Sequence, residues 1–92
     1  IDISKYLRTK LDQEIINKFP HLIIGLRGKG LMLGLEAKVS NEILIKEMIK
    51  EKLLTVKASQ NIIRFLPPLI LEKKHVDEAI TKMIKAFKNI QL

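Results

Sequence analysis

Arg64 is the one charged residue in the apolar run Ile62-Ile63-Arg64-Phe65-Leu66. In a strand, successive side chains leave opposite faces, so Ile63 and Phe65 would point into a core and Arg64 away from it. A guanidinium mounted on a strand and followed by Pro67-Pro68 is rigidly held, and its planar fork suits bidentate binding of a carboxylate or phosphate. A plainer reading of the same spacing is an exposed strand arginine paired with a surface acid, and spacing alone favours it.

Other residue patterns with chemical potential are weaker. Gly28, Gly30 and Gly34 form G-x-G-x-x-x-G, near a dinucleotide-binding fingerprint. Such a loop needs a helix N-terminus behind it to aim N–H groups at phosphate, whereas residues 31–37 alternate like a strand, so these glycines read as a structural turn. Gly25-Leu26-Arg27-Gly28 is a G-x-x-G with an internal cation, the device with which KH modules clamp an RNA backbone. A helix must follow that clamp, and Gly30 and Gly34 would each cost it about 1 kcal/mol relative to alanine. Strand against helix at 31–37 therefore separates the two readings. His21 and His75 lie far apart with no carboxylate at ligand spacing, so no metal site is expected. There is no G-x-S-x-G, and Ser4, Ser40 and Ser59 read as caps and loops.

Composition sets the frame. A chain of 92 residues makes one domain, 1–92, and its 47% hydrophobic content is enough for a packed core. The net charge of +7 invites a polyanion partner. Of the 17 cations, however, only Arg8, Arg27 and Arg64 are arginine and the lysines spread from Lys5 to Lys88, which describes a solvated surface. A nucleic-acid partner is therefore not expected. Cysteine is absent, in keeping with a reducing compartment, and no apolar run approaches the roughly 18 residues of a membrane span. A cytoplasmic protein with no membrane partner is expected. The chain opens on Ile1 rather than Met and is expected to be a piece of something longer.

The elements that must position Arg64 follow from hydrophobic spacing. Ile3, Leu7, Leu11, Ile15 and Phe19 recur every four residues and predict a helix over 2–19, stopped by Pro20. Residues 22–27 and 31–37 read as a β-hairpin about Gly28-Lys29-Gly30. Ser40 or Asn41 caps a second helix with Leu44, Ile45, Met48 and Ile49 as its buried stripe, ending near Lys52. Residues 53–56 and 62–66 are strands, separated by the polar Ser59-Gln60-Asn61. Val76, Ile80, Met83, Phe87 and Ile90 alternate steps of four and three, the seam of a final helix. The order α-β-β-α-β-β-α predicts an α+β fold, an antiparallel sheet of three to four strands with helices packed on one face.

Four segments in order carry a resemblance: Arg27-Gly28-Lys29-Gly30-Leu31-Met32-Leu33-Gly34-Leu35-Glu36, then Leu53-Leu54-Thr55-Val56, then Ile62-Ile63-Arg64-Phe65-Leu66-Pro67-Pro68-Leu69, then Val76-Asp77-Glu78-Ala79-Ile80. Together they resemble the C-terminal end of class III pyridoxal-phosphate aminotransferases, the acetylornithine and ornithine branch above all, over roughly residues 4–90. The resemblance implies a small-domain portion, the last quarter of such an enzyme, that closes over one side of the cofactor site. It implies that Arg64 binds the α-carboxylate of the amino-acid or 2-oxo-acid substrate. It also implies that the Schiff-base lysine and the other pyridoxal-phosphate contacts lie upstream, in the large domain and the homodimer partner. This chain alone is then expected neither to hold the cofactor nor to transaminate. The activity implied for the whole enzyme is amino-group transfer from acetylornithine to 2-oxoglutarate in arginine biosynthesis.

The sequence departs from the family pattern in three places. Lys52 stands where a helix-ending glycine is usual, Glu72-Lys73-Lys74-His75 replaces a serine or threonine followed by acids, and Lys57-Ala58-Ser59-Gln60 lacks a small glycine-containing loop. Alternative readings are a stand-alone basic RNA-binding module of KH type and an inactive gene remnant.

Overall fold

Asp2 starts the first helix: its carboxylate accepts the Lys5 N–H at 3.2 Å and the Ser4 hydroxyl at 2.8 Å. In the computed structural model, which describes residues 2–28, 33–53, 55–65 and 72–90, helix α1 spans Ile3–Lys10 and continues as a wide π turn over Leu11–Ile16. Regular winding thus ends at Ile16, before the predicted limit, yet Leu7, Leu11, Ile15 and Phe19 are all buried. The wide turn explains how. At 3.6 residues per turn each step of four overshoots by roughly 40°, so a strict four-residue stripe would wind off the core. The i→i+5 turn, closed by Asn17 N–H to Asp12 O at 3.1 Å, unwinds that drift.

Strands β1 (Ile23–Arg27) and β2 (Gly34–Ala37) form the expected antiparallel hairpin, with a register irregularity between Ile23 and Gly25. Gly28 adopts φ 93, as a turn glycine can, and its carbonyl accepts from Arg8 of α1 at 3.0 Å. Lys29, Gly30, Leu31 and Met32 lie outside the described residues.

Helix α2 spans Asn41–Lys50. Leu44 and Met48 are buried and Ile45 is partly so, but Ile49, expected in the stripe, is 54% exposed. Ile49 faces water because the helix rests on the core along Leu44 and Met48, one turn apart, a stripe narrower than its apolar content. The helix ends in a Schellman motif: Leu53 N–H reaches Met48 O at 3.0 Å and Lys52 N–H reaches Ile49 O at 2.9 Å. Lys52 holds the left-handed position of that motif, φ 62, where glycine would be unstrained. Leu53 is consequently buried as part of the helix end, and strand β3 begins later than predicted, covering Thr55–Ala58 rather than 53–56. A short 3₁₀ turn, Ser59–Asn61, leads into strand β4, Ile62–Phe65, with Gln60 and Asn61 both at positive φ. Leu66, Pro67 and Pro68 lie outside the described residues.

Helix α3, Lys73–Lys88, buries Val76, Ile80, Met83 and Phe87 as the spacing predicts and Ala79 and Ala86 besides, while Ile90, expected in the seam, lies past the helix end and is partly buried. It packs against α1, the π turn and α2, and Phe87 meets Phe19 edge-to-face at 5.5 Å between ring centres. The sheet order is β1-β2-β4-β3, antiparallel throughout. Leu35, Ala37, Ile63 and Phe65 enter one apolar cluster with the helical stripes, so the helices share one face of a four-stranded sheet. This is the α+β architecture that the element order predicts, with four strands. Among the described residues no helix is long and apolar enough to cross a membrane.

Candidate functional site

The strand order places β4 inside the sheet, flanked by β2 and β3, so both edges of its backbone are paired and the Cα of Arg64 is fixed on two sides. Ile63 and Phe65 are buried and Arg64 is exposed, the alternation expected from sequence. Arg64 leaves the face opposite the helices. Pairing aligns Arg27, Gly34, Arg64 and Val56 in one row across that face, one residue from each strand.

Gly34 is buried directly beside Arg64. A Cβ there would lie 2.7 Å from Ile62 Cγ2, 2.9 Å from Ile63 O and 3.6 Å from Arg64 Cγ. The glycine therefore lets β2 lie close along β4 and leaves room for the arginine stem. On the adjoining strands Arg27 Nε donates to Glu36 Oε1 at 2.7 Å. That hydrogen bond holds the Glu36 carboxyl below its ordinary pKa and the Arg27 guanidinium above its own. Among the described residues this face carries the guanidinium groups of Arg27 and Arg64 and the carboxylate of Glu36, which Arg27 engages.

The remaining sequence candidates do not gather here. Gly25 and Arg27 belong to β1 and Gly34 to β2, so no helix occupies 34–37 and the RNA-clamp reading loses its required element. The dinucleotide fingerprint fails for the same reason. Phe19, Phe65 and Phe87 are buried and the Tyr6 hydroxyl donates to Asp77, so these rings make no stacking platform. His21 is exposed near Phe19, while His75 sits in the first turn of α3, its Nδ1 buried beside a cavity of about 40 Å³. Among the described residues no three His, Asp or Glu side chains converge as metal ligands.

Sequence reasoning missed Asn61. Its Oδ1 accepts the Asn41 N–H at 2.7 Å, capping α2, while Ser40, which stands at the N-cap and is with Asn41 one of the two expected caps, makes no side-chain cap bond. A long-range cap leaves no local spacing to read; the one hint was an asparagine, tolerant of positive φ, at the end of a polar turn.

Comparison with known proteins decides the family. The family model for class-III aminotransferases matches residues 1–87. This chain belongs to the class-III aminotransferases. As a class-III aminotransferase sequence it is 37% identical over 82 residues to acetylornithine aminotransferase of Prochlorococcus marinus, covering 85% of this chain and 20% of that protein. It is 36% identical over 91 residues to the acetylornithine aminotransferase of Methanocaldococcus jannaschii, covering 99% of this chain and 22% of that protein. The chain spans about a fifth of the length of these curated relatives. Its fold superposes on N-acetylornithine aminotransferase from Stenotrophomonas maltophilia with a TM-score of 0.80 at 26% identity, over 94% of this chain and 24% of that one. Lysine aminotransferase from M. tuberculosis gives 0.79 at 30% identity, over 90% and 19%.

Pyridoxal phosphate is present at the active site of a third similar structure, ornithine aminotransferase from Toxoplasma gondii, with a TM-score of 0.76 at 25% identity over 92% of this chain and 21% of that one. The residues described here do not fit that group by themselves. A Schiff-base lysine is activated by desolvation, and every described lysine is exposed or partly exposed. A second cavity, about 200 Å³, sets Lys10 beside Glu14 and Asp77, a lining that repels a phosphate.

Proposed function

We propose that residues 1–92 form one domain, the C-terminal small-domain part of an acetylornithine-type aminotransferase, and that Arg64 binds the α-carboxylate of the amino-acid and 2-oxo-acid substrates. The observation that carries this reading is the mounting of Arg64: an exposed guanidinium on an inner strand, beside a glycine that no side chain can replace without a clash. A carboxylate gripped by a planar fork is held in one orientation, which fixes the adjoining α-carbon relative to whatever group reacts with it. Around it, Arg27 contributes positive potential, with its own carboxylate partner Glu36 in place.

In this reading the large domain and a homodimer partner hold pyridoxal phosphate and supply the reacting lysine, and this chain alone neither binds the cofactor nor transaminates. The whole enzyme would act in the cytoplasm, moving an amino group from acetylornithine to 2-oxoglutarate in arginine biosynthesis. Relatives named for that reaction support the choice of amino donor.

The test is kinetic, in a class-III aminotransferase carrying this chain as its C-terminal part. Arg64→Ala should lower kcat/KM about 30- to 1000-fold for every substrate bearing an α-carboxylate, equivalent to about 2 to 4 kcal/mol of transition-state binding. Arg64→Lys should recover only part, because a point charge lacks the fork. An unchanged kcat/KM in Arg64→Ala would refute the assignment.

A further inference from the structure

Two asparagines from distant parts of the chain interlock at the end of the sheet where β4 begins. The Asn61 amide makes three hydrogen bonds to residues 37–41: Nδ2 donates to Ala37 O at 2.9 Å and to Val39 O, while Oδ1 accepts Asn41 N–H at 2.7 Å. The Asn41 amide answers by donating to Ile62 O at 3.0 Å and, at 3.4 Å, to Ala58 O. Asn41 is 3% exposed and its bond to Ile62 O is buried, where an unmade one is costly, while the other bonds of the pair are partly buried. Each amide thus ties the β3–β4 turn to the segment joining β2 and α2.

The position of the clamp gives it leverage. Asn61 immediately precedes β4, and Ala37 closes β2, the strand on which β4 is registered as Glu36 opposite Ile62, Leu35 opposite Ile63 and Gly34 opposite Arg64. Side chains alternate with period two, so a slip of one residue would send Arg64 to the core face and Ile63 to the outer face. Hydrophobic burial opposes a full slip. Pairing on both edges holds the middle of β4, and the directional amide network adds a restraint where the strand begins. Asn61 sits at φ 64, a left-handed position that asparagine tolerates, and its amide makes all three hydrogen bonds from there.

We infer that Asn61, locked by Asn41, is a positioning residue for Arg64, fixing the guanidinium for the substrate carboxylate through the register of β4. The inference rests on the carboxylate reading of Arg64. It names no new contact with substrate, since Asn61 acts only through the strand.

A double-mutant cycle separates this from a merely structural role. In a class-III aminotransferase carrying this chain, kcat and KM for the amino donor and for 2-oxoglutarate are measured with Asn61→Gly, with Arg64→Ala, and with both. Glycine keeps the positive φ and deletes only the clamp. Asn61→Gly alone should lower kcat/KM about 10- to 100-fold, the scale of a misplaced binding group. The same change made in the presence of Arg64→Ala should cost less than about twofold, because there is no guanidinium left to misplace. Should Asn61→Gly fail to fold, Asn61→Asp, which keeps the cap on Asn41 N–H but turns a carboxylate toward two carbonyls, carries the same cycle. Equal costs in both backgrounds, or no cost in either, would overturn the positioning role while leaving Arg64 in place. If Arg64→Ala itself changes nothing, the carboxylate reading falls instead.

Discussion

The same small substitution should have opposite signs at two glycines of neighbouring strands. Neither Gly25 nor Gly34 has the positive φ that bars an L side chain, so alanine is conformationally allowed at both and only the surroundings differ. At Gly34 the new methyl would meet Ile62 Cγ2 at 2.7 Å and Ile63 O at 2.9 Å. The first contact belongs to a branched side chain, but the second is backbone of a strand paired on both edges, so β2 and β4 would have to part. Overpacking of this kind costs about 1 to 3 kcal/mol. At Gly25 nothing lies within 4 Å of the added methyl. There the dominant effect is the loss of unfolded-state freedom, which stabilises by about 0.4 to 1 kcal/mol. Urea unfolding of the two variants reads both. With a slope near 1 kcal/mol/M, as for small domains, Gly34→Ala should lower the midpoint by about 1 to 3 M and Gly25→Ala should raise it by less than about 1 M, with the slope unchanged. Equal shifts, or a Gly34→Ala as stable as the parent, would show that the close approach of β2 to β4 does not constrain the sheet. That result would also remove the structural reason for a glycine beside Arg64.

Three further outcomes are expected. Lys52→Gly should stabilise the chain by about 1 kcal/mol, because glycine adopts the φ 62 position without the strain that lysine carries, and the urea midpoint reports it. Stability should fall at both pH extremes for identifiable reasons. The hydrogen bond from Arg27 lowers the Glu36 pKa from 4.5, so its contribution is present above that value and is lost as pH falls through the folded-state value; Glu36→Gln should remove this share of the acid limb in thermal melts and leave the shares of Asp2 and Glu42, which are also lowered. The Asp77 hydrogen bond raises the Tyr6 pKa from 10.0, so its contribution is present below that value and is lost as pH rises through the folded-state value, a share of the alkaline limb that Tyr6→Phe should remove. Finally, the chain titrated with pyridoxal phosphate should show no saturable stoichiometric adduct; borohydride fixation at one lysine, mapped by mass spectrometry, would overturn the view that the cofactor site lies elsewhere.

Periodicity alone determined much of this protein. The spacing of Val76, Ile80, Met83 and Phe87 fixed the buried seam of α3, and strand alternation put Arg64 opposite Ile63 and Phe65, because both depend only on backbone repeats that neighbouring residues share. The motifs about Gly34 and Arg64 also pointed to the family, a resemblance that the family model matching residues 1–87 bears out. Tertiary structure decided what distance along the chain conceals. Leu53 looked like the start of a strand until the Schellman hydrogen bonds at Lys52 bound it to the end of α2 and moved β3 to Thr55. Ile49 matched an apolar stripe that the core did not use. The order β1-β2-β4-β3, which sets Gly34 beside Arg64 and lets Asn61 cap a helix that begins at Asn41, arises from pairing between remote segments. Local propensity is nearly indifferent to which strands pair, and the choice is made by burying one face of each strand against three helices at once.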